Sequence, residues 1–157
     1  ILARMAGKEG SALLPKETER FQTVQIKEEG RKVDEAVRYV KEHYREQIRT
    51  EDMARVCGLS ESHFRRLFAK SVQCSPMEYV NKVRIRAACE LIENTGSSFE
   101  EIAVQTGFIS MSTFGRNFQK FLGMSPQCWK KEGSVQIQNL YERAVHEKGK
   151  NKNAQNI

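Results

Sequence analysis

The chain repeats itself. Displaced by 49 positions, Glu51, Ala54 and Gly58 meet Glu100, Ala103 and Gly107. After one inserted residue the displacement becomes 50, and Ser60, Ser62, Phe64, Arg66, Phe68, Lys70, Ser75 and Pro76 meet Ser110, Ser112, Phe114, Arg116, Phe118, Lys120, Ser125 and Pro126. The pairs Met53/Ile102, Leu59/Phe108 and Tyr79/Trp129 agree in kind. A repeat this short can hold only one supersecondary unit, so two copies of one small motif are expected.

Each copy has the same grammar: a short helix, a glycine-centred turn, a serine able to cap, and a longer helix with aromatics four apart. Ala54 and Ala103 are small where two helices cross closely, and Gly58 and Gly107 supply the turn between them. That is the shape of a helix-turn-helix. Burying Phe64 and Phe68, or Phe114 and Phe118, leaves the opposite face outward. The outward residues are then His63, Arg65, Arg66 and Lys70 in the first copy, and Thr113, Arg116, Asn117 and Lys120 in the second.

Val33, Ala36, Val37, Val40 and Tyr44 recur at helical spacing, predicting a helix from Val33 to near Gln47. Thr50 begins the next helix, with Glu51 and Asp52 in its positive first turn. Between the copies, Ser75-Pro76 reads as a helix start, Val80, Val83, Ala87, Leu91 and Ile92 carry the helix to about Asn94, and Gly96 stops it. At 1.5 Å per residue it spans about 30 Å, close to the roughly 34–36 Å between successive major grooves on one face of DNA. Residues 1–32 have no sustained apolar period and contain Gly7, Gly10, Pro15 and Gly30 among charges, so they read as a linker or the edge of a preceding domain. Residues 133–157 read as a tail, with a short helix through Ile137, Leu140, Tyr141, Ala144 and Val145 and then an Asn- and Lys-rich disordered end.

Length and composition narrow the class. The chain has 157 residues and a formal charge of +6. Its apolar runs are far shorter than the roughly 20 residues of a membrane-spanning helix. It opens on Ile, reads as a piece of a longer protein, and has no apolar stretch of the secretory kind among Ile1–Gly10. Cys57, Cys74, Cys89 and Cys128 lack zinc-site spacing and are expected as reduced, buried residues of a cytosolic protein. From Ser110 to Lys131 there are four basic residues and no acidic one, a local surplus suited to phosphates or simply to a solvated helix face.

Taken together, Met53-Ala54, Gly58-Leu59-Ser60, Phe64-Arg65-Arg66-Leu67-Phe68 and Ser75-Pro76, followed by Glu100 to Ala103, Gly107-Phe108, Phe114, Arg116, Phe118-Gln119-Lys120, Gly123 to Pro126 and Trp129, resemble the DNA-binding domain of the AraC/XylS family of bacterial transcription regulators. The resemblance covers residues 33–132. It implies an all-α fold of about seven helices, with homeodomain-like helix-turn-helix units at 33–74 and 96–132 joined by a linker helix at 75–95.

It also implies that Ser62, His63, Arg65 and Arg66, and Met111, Ser112 and Arg116, are base-contact candidates, with Gly115 at a reading position where it offers no donor. The arginines suit bidentate contact with guanine, and Met111 only apolar contact, as with a thymine methyl. Arg66 and Arg116 could equally clamp phosphates. Lys70, Asn117, Lys120 and Lys130 are the phosphate candidates. The first unit is expected to carry more direct readout.

The implied partners are double-stranded DNA in a bacterial cytoplasm, on the nucleoid, and RNA polymerase. An upstream domain would sense a small molecule or pair subunits. No cofactor and no metal are implied. An enzyme is disfavoured, since His43, His63 and His146 are scattered and no nucleophile–base pattern occurs. The alternative is a helical protein-interaction module that keeps the fold without specific DNA binding. It would be favoured by Arg65, Arg66 and Arg116 held in internal salt bridges.

Overall fold

The computed structural model describes residues 15–132; the expected tail and the first fourteen residues lie outside the described part. Seven helices follow one another there, and no strand: α1 Pro15–His43, α2 Thr50–Val56, α3 Glu61–Val72, α4 Pro76–Asn94, α5 Phe99–Gln105, α6 Met111–Leu122 and α7 Pro126–Glu132. None is long and apolar enough to cross a membrane.

α1 differs most from expectation. It begins at Pro15 rather than Val33, runs through Gly30, and ends at His43 instead of near Gln47. Pro15 suits a first helical position, and the Lys, Glu, Gln and Arg residues that follow are good helix formers. The large apolar residues of this stretch, Phe21, Val24 and Ile26, are exposed and fall on no single helical face, so no apolar stripe reveals its period. Only Val33, Ala36 and Val40 are fully buried along α1.

The chain divides into two compact units. Among the described residues, one comprises 15–39 with Thr50–Ser75; the other comprises Val40–Arg49 with 76–132. In the first, α2 packs on α3, and Met53, Ala54, Phe64, Leu67 and Phe68 are buried. The Phe64 and Phe68 rings, one helical turn apart, sit 5.4 Å apart between centroids.

In the second unit, α4 packs against α5, α6 and α7. The helix expected as a spacer is therefore also a core element. Ile85, Ala88, Cys89 and Ile92 join Ile102, Ala103, Phe108, Phe114, Phe118 and Trp129 in one cluster. Phe108, Phe114, Phe118 and Trp129 form a chain of edge-on contacts with centroid separations of 5.4, 5.6 and 6.0 Å, the geometry aromatic quadrupoles favour. The face of α4 is rotated from the expected one: Val83, Ala87 and Leu91 are half-buried, while Arg84, Ile85, Ala88 and Cys89 are buried.

Three cysteines, Cys57, Cys74 and Cys89, are buried free thiols as expected, but Cys128 is exposed. It lies on the outer side of the short α7, whose buried residues are Pro126 and Trp129. Burial and the neighbouring carboxylate of Glu93 push the Cys89 thiol up to about 12.

Candidate nucleic-acid interface

The two turns are built alike. In the first, Leu59 N–H donates to Ala54 C=O at 3.0 Å and Gly58 N–H to Arg55 C=O at 3.0 Å. In the second, Phe108 N–H donates to Ala103 C=O at 2.9 Å and Gly107 N–H to Val104 C=O at 3.1 Å. This pairing is the Schellman motif, which requires a left-handed residue just past the helix. Gly58 and Gly107 supply it with φ of 65° and 92°. The repeated Ala-Gly-apolar triplet is thus one helix-ending device used twice.

The helices that follow start alike too. Ser60 and Ser110 are extended N-cap residues whose hydroxyls accept from the backbone N–H of His63 and Thr113. α5, ahead of the second turn, is held by a reciprocal capping box between Ser98 and Glu101, so the carboxylate of Glu101 serves the helix start.

On α3, burial of Phe64, Leu67 and Phe68 leaves Ser62, His63, Arg65, Arg66 and Lys70 exposed. On α6, burial of Phe114 and Phe118 leaves Met111, Ser112, Arg116 and Lys120 exposed, with Thr113, Gly115 and Asn117 half-buried. Each expected set therefore shares one face of its own helix. The charges differ in how free they are. Arg65 forms a two-nitrogen contact with Glu61 Oε1, at 2.6 and 3.0 Å. An exposed pair one turn apart is worth only about 0.3–0.5 kcal/mol, so a phosphate or base can displace it.

Arg66 has no acidic partner among the described residues, and Arg116 reaches only the Thr113 hydroxyl, at 3.5 Å. Lys120 Nζ lies 3.9 Å from Glu78 and over the Phe121 ring. Lys130 is exposed on α7 with Nζ over the Phe99 ring. Asn117 donates its amide to the Thr113 carbonyl of its own helix at 2.9 Å.

Two residues near these faces escaped the sequence reading. Arg84 is buried at 6% exposure. Its Nε donates to Tyr44 C=O and its Nη2 to Glu46 C=O, both at 2.8 Å. Desolvation lowers its pKa from the ordinary arginine value, and the two carbonyls compensate the buried cation. A Cβ on Gly107 would stand 2.5 Å from Tyr44 O and 2.9 Å from Arg84 Nε, so the second turn closes onto this node and Gln47 Nε2 also reaches the Gly107 carbonyl. The other residue is Ile109, 84% exposed just before the Ser110 cap. It is the residue inserted between the two repeat displacements, a signal present in the sequence.

Comparison with known proteins finds the same class of domain. A family model described as a helix-turn-helix domain matches residues 53–132. The lactose operon transcription activator of Staphylococcus xylosus is 28% identical over 113 residues, covering 72% of this chain and 40% of that protein. An uncharacterized helix-turn-helix-type transcriptional regulator of Bacillus subtilis, YdeC, is 36% identical over 92 residues, 59% of this chain and 32% of that one. The chain thus spans about two-fifths or less of these relatives. Among solved structures, the DNA-binding domain of the global transcriptional factor AdpA, in complex with a target DNA, superposes with a TM-score of 0.61 at 28% identity, covering 64% of this chain and 90% of that one.

Proposed function

The chain belongs to the AraC-type helix-turn-helix family, and from that premise we propose that it is the DNA-binding part of a bacterial transcription regulator, inserting α3 and α6 into successive major grooves of one duplex. The carrying observation is the placement of Arg66 and Arg116. They occupy equivalent repeat positions, are exposed opposite buried phenylalanine pairs, and have no acidic partner among the described residues. A guanidinium so placed can donate two parallel bonds to guanine O6 and N7.

In this reading Ser62, His63, Arg65 and Ser112 complete the base-facing set, while Lys70, Lys120 and Lys130 hold the backbone and fix register without carrying sequence information. Asn117 can offer a phosphate its second amide hydrogen while the first holds the Thr113 carbonyl. The reading assigns the chain no catalytic role. The longer protein would sense a small molecule or pair subunits through its other part, contact RNA polymerase, and act on the nucleoid in the cytoplasm.

The interaction-module alternative would be favoured by arginines locked in internal salt bridges. Of the three, only Arg65 has an acidic partner among the described residues, and that pair is exposed, which favours DNA. The test is selection of bound fragments from a random duplex library, followed by titration with variants. Arg66→Ala and Arg116→Ala should each cost about 1–3 kcal/mol on the selected site and relax its sequence at one position. An unchanged preference assigns them to phosphates, and no selected duplex at modest ionic strength overturns the reading. Thermal melting of each variant checks that the fold survives.

A further inference from the structure

Apolar side chains are left in water at the start of α6. Ile109 is 84% exposed and Met111 38% exposed, on either side of the Ser110 cap. The matching stretch of the first unit is Leu59-Ser60-Glu61-Ser62-His63: Leu59 there corresponds to the buried Phe108, and no residue corresponds to Ile109. The second copy therefore carries a β-branched apolar residue that the first lacks, and Met111 where the first has Glu61. Packing does not explain it, because Phe108 and Phe114 already fill the core beneath. Nor is Ile109 needed for the cap, which is made by Ser110.

In a helix-turn-helix the first residues of the second helix meet base edges, and Ile109 lies two positions ahead of Met111, the first residue of that helix. Charge narrows the occupant: no acidic residue occurs from Ser110 to Lys131, while Arg116, Lys120, Lys130 and Lys131 do. A polyanion is admitted and an acid-free apolar tip is directed at it. The apolar group displayed in the major groove is the thymine 5-methyl.

We infer that Ile109, together with Met111, reads thymine methyl groups in the half-site of the second unit, making that half-site apolar in its specificity while the first is read by hydrogen bonds. This inference rests on the DNA-binding reading and adds Ile109 as a specificity-determining residue. It is also compatible with Gly115, which offers no donor: the second unit then selects through methyls together with Ser112 and Arg116.

The experiment uses the duplex selected from the random library and replaces each thymidine in turn with deoxyuridine, which removes only the 5-methyl. With the unaltered chain, uracil at one or two positions of the half-site protected by the second unit should weaken binding about fourfold each, the worth of one buried carbon. With Ile109→Ser, thymine and uracil should bind alike at one of these positions, a second keeping its penalty through Met111; with Ile109→Val the difference should persist at both. Because Ile109 is exposed, both variants should melt as the parent does. A selected half-site without thymine, or a uracil penalty unchanged in Ile109→Ser, overturns the inference while leaving DNA binding intact. Failure to select any duplex removes the underlying reading and this one with it.

Discussion

Equivalent residues of the two copies meet different demands, and substitutions separate them. Gly58 and Gly107 both occupy left-handed backbone, where a Cβ costs about 1–2 kcal/mol. A Cβ at Gly58 would meet nothing within 4 Å, whereas at Gly107 it would press on a main-chain oxygen. Gly58→Ala should therefore cost about 1 kcal/mol, and Gly107→Ala more than 2 kcal/mol, as read from denaturant midpoints. The reverse asymmetry holds at the ends of α3 and α6. Gly123 closes α6 with φ of 72°, but Gln73 closes α3 with φ of 68°, the one non-glycine residue with positive φ among those described. Gln73→Gly should raise stability by about 1 kcal/mol, seen as a higher melting temperature. Its exposed amide bond to Lys70 C=O is solvated and offsets little of this.

At the level of elements, α6 gives up helix propensity at Gly115. A Cβ there would meet nothing within 4 Å, so Gly115→Ala should stabilise the protein by about 1 kcal/mol in thermal unfolding. Any accompanying change in DNA affinity would report on the recognition face and not on folding. α4 shows the opposite economy, placing a charged residue on its buried face. Arg84 donates to two carbonyls of the segment after α1, bonds that offset the cost of burying its own charge. α1 itself shows that a helix can be continuous where its sequence has no amphipathic signal: backbone bonds and helix-forming residues suffice, and the apolar stripe of Val33, Ala36 and Val40 is confined to its C-terminal half.

For the whole molecule the useful quantity is charge in relation to salt. The chain carries +6, and every phosphate neutralised releases condensed counterions, steepening the dependence of affinity on salt. Lys70 and Lys120 occupy the same repeat position, yet Lys120 lies beside Glu78, and Lys70 has no acidic partner among the described residues. Lys70→Gln should flatten the slope of log affinity against log salt by about 0.9, and Lys120→Gln by less, in titrations of one selected duplex over a range of chloride concentrations. Sequence preference should stay unchanged in both, since backbone contacts carry no base information.

The repeat, the serine caps, the glycine turns and the aromatic spacing of α3 and α6 were legible in the sequence, and with them the exposure of His63, Arg65, Arg66, Lys70, Arg116 and Lys120. All of these follow from rules acting within one helical turn or one chain reversal. Thr113 and Asn117, read as outward, are half-buried. Tertiary structure decided which side of α4 is covered, that Arg84 lies inside, that Gly107 has a steric duty Gly58 lacks, and that Ile109 and Cys128 face solvent. The reason is range: helical periodicity fixes which residues share a face, but only the arrival of chain from far away, as Tyr44 and Gln47 do at Gly107, determines which face loses its water.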